Sequence, residues 1–530
     1  MPVTLYRGGA VYAPAAPGCS ALLVAGDRIA WLGTDEVATG HVDSADEVID
    51  LRGALITPAF VDAHAHVTET GLALAGVDLT AVASVGEALA LVERAARIDG
   101  GPVLGHGWDE RGWAELRPPT RAELDRASGG RPVYLARVDV HSAVVSTALA
   151  ERFDLLALPG WSDDGRIERD AHHAARALTR EQLGAADRRR LQGSALAAAS
   201  AAGIGCVHEM SAPHIAPIAD LPELLALVRD TERDPSRVVL PDVVGYRGAL
   251  VADTDEVADL LAELDLPVGT LAGLAGDLCA DGSVGSRTAA MREPYADADT
   301  SGHAYLTAKQ VRDHLVACTR AGLQGGFHVI GDRALDVVLA GLRAAAADVG
   351  ADVLRAARHR FEHVEMPDDE AIATLAAYGV TASVQPAFDA AWGGGDGMYA
   401  ERLGVNRARA SNPLADLVRA GTPLAFGSDS PVTPLDPWGG VAAAVHHHAP
   451  SQRLSPRAAF GAHTRGGWEA AGPVDVDDLA GVLAPGGPAT FAVWDCAELV
   501  DGLPDLSPGA ARPRCLRTVV RGRVAFGSSR

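Results

Sequence analysis

Residues 58–66 read Pro58-Ala59-Phe60-Val61-Asp62-Ala63-His64-Ala65-His66. An apolar run this short, bounded by a proline, is the pattern of a buried strand. Side chains alternate along a strand, so His64 and His66 project from one face, close enough to bind a single cation. The HxH spacing alone says little. With 18 histidines in 530 residues, chance places roughly 0.6 such pairs, and His446-His447-His448 contains another. The weight of His64/His66 comes from what lies on either side.

Before it, residues 3–57 break into short apolar runs around turns. Ala21–Val24 and Arg28–Leu32 flank Gly26-Asp27, and Val48–Leu51 and Ala54–Thr57 flank Arg52-Gly53. This predicts a small β domain. The C-terminus is alike, with Thr490–Trp494, Leu516–Val520 and Val524–Phe526 as strands. Two β-rich ends predict one small β-sandwich assembled from residues 1–57 and 481–530.

After it, residues 58–480 alternate strand-like and helix-like segments. The strand-like runs are Ala59–Ala63, Pro102–Leu104, Pro132–Ala136, Cys206–His208, Gly325–Ile330, Arg360–Val364, Thr381–Gln385 and Leu424–Phe426. Alanine-rich amphipathic stretches such as Val85–Arg97, Ala185–Ala202 and Lys309–Ala321 lie between them. The alternation predicts an α/β fold with a parallel sheet. Polar residues sit at or just past strand ends: His64, His66, His208, Glu209, His328, His363 and Asp429. A (β/α)8 TIM-like barrel collects such residues on one face. The competing open doubly wound sheet carries a glycine-rich phosphate loop after its first strand, and none is present.

Composition narrows the function classes. Hydrophobic residues make up 48% and charged residues 22% of the chain, which suits a soluble globular protein. A net charge of −23 argues against nucleic acid and anionic membranes as partners. The six cysteines are scattered without a CxxC pair, which reads as a reduced, cytoplasmic chain. No signal-peptide pattern and no apolar run of membrane-spanning length is visible.

Three further segments can carry chemistry. Gly326-Phe327-His328-Val329-Ile330-Gly331-Asp332 delivers a histidine near a strand end, with Asp332 as a cap or turn residue. Arg360-Phe361-Glu362-His363-Val364 does the same, and Phe426-Gly427-Ser428-Asp429-Ser430-Pro431 ends a strand on an aspartate. Four histidines and one aspartate in strand-end positions suit a divalent ion that keeps an open position for water. Zn²⁺ is the expected ion, with Mn²⁺ or Fe²⁺ as alternatives. His172-His173 and His446–His448 read as solvated faces.

The order HxH, His, His, Asp, together with Asp27–Gly33 and the closing Leu483–Asp495, resembles the amidohydrolase superfamily. Gly107-Trp108-Asp109-Glu110, Arg137–His141, Asp281–Thr288 and His328–Asp332 resemble its branch containing N-substituted formamide deformylase-like proteins. The resemblance implies a barrel with a β-sandwich built from both termini. It implies metal-site roles for His64, His66, His328, His363 and Asp429. It further implies that Asp429 handles the proton of the attacking water and that Trp108, Asp109, His141, Asp281 and Ser283 line the substrate pocket. The activity implied is hydrolysis of a non-peptide C–N bond in a small molecule, such as an N-formyl or N-acyl amine. A deaminase- or esterase-type reaction is the runner-up, and a catalytically silent binding or regulatory homologue the third reading. Family members often dimerise, which leaves a homodimer open.

The chain departs from its branch at one place. Where the branch carries a carboxylated lysine that bridges two metals, four residues before the Asp-Gly-Ser motif, this chain has Asp277. Its single lysine is Lys309, expected at the start of an exposed helix. Two readings stay open. Asp277 bridges two ions itself, or one ion is bound by His64, His66, His328 and Asp429 with His363 positioning water or substrate. The short aspartate side chain favours one ion. Cys279 is expected to be a buried structural thiol, with a soft-ligand role as the alternative.

Overall fold

The computed structural model describes residues 1–98, 101–267, 269–472 and 476–527. Eight strands form one continuous parallel sheet in chain order: β1 (Phe60–Ala65), β2 (Ile204–Ser211), β3 (Asp242–Arg247), β4 (Leu271–Leu274), β5 (Gln324–Val329), β6 (Arg360–His363), β7 (Thr381–Val384) and β8 (Leu424–Phe426). The sheet closes on itself. Just past the end of β8, Asp429 N donates to His64 O at 2.7 Å, and His66 N donates to Ser430 O at 3.0 Å. This is the expected (β/α)8 barrel. The predicted helices are found as Val85–Ile98, Ala185–Ala201 and Ala308–Ala321. The last begins with a reciprocal cap between Thr307 and Gln310 and ends on Gly322 in the left-handed region, the expected stop signals.

Two of the eight anticipated barrel strands lie elsewhere. The runs at 102–104 and 132–136 belong to Val103–Trp108 and Val133–Arg137, which pair in a separate five-stranded sheet inserted between β1 and β2. Their places are taken by β3 and β4. The inserted unit is itself strand–helix–strand, with helix Arg121–Ser128 between parallel strands. Its local pattern therefore matches a barrel unit, and only the pairing tells them apart.

Strands of both termini share one sheet: Leu55–Pro58 pairs antiparallel with Phe491–Asp495, which pairs with Arg514–Val520. A second sheet of Val3–Arg7, Ala21–Ala25, Arg28–Gly33 and Glu47–Asp50 packs on it. Tyr6 and Phe491 meet edge-on at 5.1 Å in the shared core. The sandwich is joined to the barrel through aromatics. Trp494 packs against Phe60 at 5.8 Å and Trp438 at 5.6 Å, and its indole N–H donates to Thr57 Oγ1 at 2.9 Å. Gly203 makes room for this indole. A Cβ there would lie 2.2 Å from the ring, at a φ of +80° that other residues avoid. The six cysteines are free. Among the described residues no helix is long and apolar enough to cross a membrane.

Candidate metal centre and substrate cavity

The polar strand ends converge at the C-terminal mouth of the barrel, where this fold places its chemistry. Every residue of β1 is buried, and His64 and His66 follow each other into the centre with ring centroids 5.3 Å apart. Asp62 fixes the end of β1, since its Oδ1 accepts from Ser428 N at 2.8 Å.

One nitrogen of each histidine is tied down. His64 Nδ1 lies 2.8 Å from Glu362 Oε2, His66 Nδ1 3.0 Å from Met210 O, and His363 Nδ1 2.7 Å from Gln385 Oε1. His328 is held by the opposite atom, with Nε2 3.2 Å from Gly282 O. The remaining nitrogens, His64 Nε2, His66 Nε2, His328 Nδ1 and His363 Nε2, are buried and have no hydrogen-bond partner. Asp277 Oδ1 is in the same condition. Buried polar atoms rarely go unmatched, and imidazoles oriented through their second nitrogen are the usual dress of metal ligands. The donor set fits a divalent cation such as Zn²⁺, Mn²⁺ or Fe²⁺.

Asp277 stands in the middle of the set. Its Oδ1 is 3.5 Å from His64 Nε2, 3.7 Å from His328 Nδ1 and 3.9 Å from His363 Nε2, and its Oδ2 is 3.3 Å from His66 Nε2. Three groupings have ligand atoms within metal-binding reach of one another: His64–His66–Asp277, Asp277–His328–His363 and His64–His363–Asp429. Asp277 thus lies near both histidine pairs, and the reading in which it bridges two ions stays open beside the one-ion reading. The backbone after β4 places Asp277 there. Beyond β4, Leu278–Ala280 run beside His328, with Ala280 N donating to His328 O at 2.8 Å and His328 N donating to Leu278 O at 3.1 Å. Gly248 permits the approach, since a Cβ there would lie 2.7 Å from Leu278 N and 2.8 Å from Asp277 C.

Electrostatics bind the set together. Burial alone would raise the Asp277 carboxyl, but His66, His328 and His363 hold it well below its ordinary range. Burial likewise opposes charge on His363, yet Asp277 and Asp429 lift it to about 9. Asp429 Oδ1 lies 3.2 Å from His66 Nε2 and 3.5 Å from His64 Nε2. His363 and Asp429 both adopt left-handed backbone, with φ of 70° and 55°. For non-glycine residues that costs about 1–3 kcal/mol each and is found where function demands it.

The other expected residues separate into two groups. His141 and Ser283 line cavities at the centre, and the His141 ring is 5.0 Å from His328. Trp108, Asp109 and Asp281 do not line them. Trp108 is core, its indole donating to Leu135 O at 2.9 Å. Asp109 is occupied by Arg111 and Arg137. Asp281 accepts from the backbone of Ile330, Gly331 and Ala290 at 2.8–3.0 Å, so it anchors the chain after His328. Trp108 and Asp109 act at one remove: both contact Arg137, which pairs with Asp139, and Asp139 accepts from Ser283 at 2.8 Å. Cys279 Sγ is 3.8 Å from His214 Nε2. His172 is buried rather than solvated, bonded to Tyr134, and His447 is buried beside exposed His446 and His448. Lys309 is an exposed helix residue paired with Asp313.

Sequence reasoning missed Glu362, Arg360 and Gln385. Arg360 binds Glu362 at 2.7 Å and also reaches His208, Ala63 O and Ser383. A signal was present, since two charged residues at period 2 within an apolar strand must pair inside the barrel. Glu209 caps a helix rather than pairing with a base: it accepts from Val67 N at 2.6 Å, and burial raises its carboxyl to about 8.

Comparisons with known proteins agree with this geometry. A family model described as "Amidohydrolase family" matches residues 47–526. The protein LONG AFTER FAR-RED 3 of Arabidopsis thaliana is 25% identical over 90% of this chain and 85% of its own. The putative amidohydrolase YtcJ of Bacillus subtilis is 26% identical over 77% of each chain. An N-substituted formamide deformylase of Arthrobacter pascens is 32% identical over 28% of each. Crystal structures of uncharacterized metal-dependent hydrolases from Pyrococcus furiosus and Pyrococcus horikoshii superpose with TM-scores of 0.71 and 0.74. They are 28% and 27% identical, covering 93% and 96% of this chain and 98% and 100% of theirs.

Proposed function

The chain belongs to the amidohydrolase family, and from that premise we propose that it hydrolyses a non-peptide carbon–nitrogen bond of a small molecule, as a cytoplasmic metal-dependent enzyme. The observation that carries the reading is the set of four buried imidazoles whose free nitrogens surround Asp277. His64 and His66 with Asp277 would hold one divalent ion, and His328 and His363 with Asp277 a second. The central carboxylate favours two ions over the one expected from side-chain reach. Zn²⁺ is the first choice on donor type. Such ions supply Lewis acidity, lowering the pKa of water and offsetting charge that develops on a carbonyl oxygen.

The chain's own residues do the rest. Asp429 turns Oδ1 toward His64 and His66, which leaves Oδ2 to take the proton of the attacking water. The same carboxyl then returns it to the leaving nitrogen. Glu362, Met210 O and Gln385 keep the imidazoles in one tautomer and orientation. His141 borders the substrate cavity beside His328, and burial keeps its imidazole neutral by lowering its pKa to about 3, so it serves as a hydrogen-bonding group. The six free cysteines support a reducing compartment. The partner is a small molecule, with a homodimer left open.

The test is metal counting per chain, coupled to turnover of a panel of N-formyl and N-acyl amines, aminopurines and esters. Two ions and amide turnover are expected. Turnover of aminopurines or esters alone would move the activity to a deaminase or esterase. A chain that never holds metal at stoichiometric level would overturn the enzyme reading.

A further inference from the structure

Two small cavities border the metal centre. They share His141, His328, His363 and Asp429 in their walls, so a bond held at Asp429 would direct one substituent toward each. The two lobes differ in chemistry. One is walled by Phe388, Trp392, Met398, Tyr399 and Val432. The other is walled by His172, His173, Arg176, His214 and Cys279.

Among the described residues lining the second lobe, Arg176 carries the only permanent charge away from the metal-binding residues. It projects from the helix Arg169–Glu181 and is 4% exposed. Its Nη2 has no hydrogen-bond partner. The nearest acid is Glu69, 3.5 Å away, and Glu69 is already held at both oxygens by Arg180 at 2.7 and 2.8 Å. Two guanidinium groups thus face one carboxylate, leaving a net positive charge on the cavity wall. Apart from Asp277 and Asp429, which face the metal-site histidines, the neighbouring groups do not offset it. Burial keeps His173 and His214 neutral, His173 with its pKa lowered to about 4, and keeps the Cys279 thiol protonated. Asp170 on the same helix is exposed. A buried guanidinium with an unused N–H is costly unless an anion completes it, and a carboxylate matches its geometry.

Resting on the hydrolase reading above, we infer that the substrates are amides with a carboxylate on one side of the scissile bond and an apolar group on the other, and that Arg176 anchors the carboxylate. The arrangement selects molecules of the N-acyl amino acid type, or the reversed amide of a dicarboxylic acid with an aromatic amine.

The probes are two matched pairs: N-phenylacetylglycine against its primary amide, and N-phenylsuccinamic acid against its primary amide. The metal-loaded protein is expected to prefer the acid in at least one pair. In Arg176→Met the acid-over-amide ratio of kcat/KM should fall roughly thirtyfold or more, while Arg176→Lys keeps most of it. Circular dichroism and metal content confirm that each variant is folded and loaded. A second readout is calorimetric binding of the same acids to Asp429→Asn, with and without Arg176→Met. Arg176-dependent binding there, with no turnover of any probe by the metal-loaded wild-type protein, supports the anchor and defeats the hydrolase reading. Turnover of neutral amides at least as fast as the acids overturns the anchor alone, as does an Arg176→Met variant that loses both equally. Absence of binding by either acid also overturns it.

Discussion

His64 Nδ1 sits 2.8 Å from Glu362 Oε2, deep in the barrel, with both side chains fully buried. Glu362 is in turn held by Arg360, which keeps its carboxyl ionised far below the usual range despite burial. The pairing decides that His64 presents Nε2 to Asp277. Glu362→Gln should therefore lower metal affinity roughly 10–100-fold. It should also lower stability, since Arg360 loses its charge partner in a buried position. Metal titration followed by inductively coupled plasma analysis reads the first effect and thermal denaturation the second. Unaltered affinity would remove Glu362 from the set.

Asp277 is the group through which the two histidine pairs are joined. Asp277→Ala should reduce the bound metal from two ions to one or none and abolish most turnover. A full complement of metal in this variant would show that the pairs bind independently of it.

In the proposed reaction Asp429 moves the proton of the attacking water. Asp429→Asn should keep its metal and lose about 10²–10⁴ in kcat. Metal content and single-turnover rates on the same preparation check this, and unchanged turnover would refute the assignment.

Gly248 offers a test of backbone approach. A Cβ at this position meets backbone atoms of Asp277 and Leu278 at 2.7–2.8 Å, and backbone cannot swing aside as a side chain can. Gly248→Ala should cost about 1–3 kcal/mol of stability and weaken metal binding by displacing Asp277. A variant with wild-type melting temperature and metal affinity would show that the inward path tolerates displacement.

Glu69 couples stability to acid. Burial would raise its carboxyl, but Arg180 and Arg176 lower it from 4.5 to about 2. A carboxyl depressed in the folded state stabilises fully above its unfolded value. That contribution, on the order of 3 kcal/mol, is lost as pH falls from about 4.5 toward 2. Glu69→Gln should make urea-denaturation stability less pH-dependent across this window. An identical slope in the variant would exclude Glu69 as the source.

Much of the molecule follows from local pattern. The period-2 placement of His64 and His66 and the histidines ending β5 and β6 depend on neighbours a few residues away, and so does the aspartate after β8. Sequence alone carries such signals. The paired terminal β segments were readable for the same reason. The membership of strands in a sheet was not. Val103–Trp108 and Val133–Arg137 have the strand–helix–strand pattern of a barrel, and β4 is only Leu-Ala-Gly-Leu. Hydrogen-bond partners far along the chain make that choice. Glu362 was hidden in the same way, because its meaning lies in His64, 298 positions away. The HxH pair at residues 64 and 66, barely above chance as a motif, already marked where the centre would form. Where Asp277 stands relative to the two histidine pairs was decided by tertiary structure. Side-chain length sets reach only from a given Cα, and the close approach of Gly248 to the Asp277 backbone helps fix where that Cα lies.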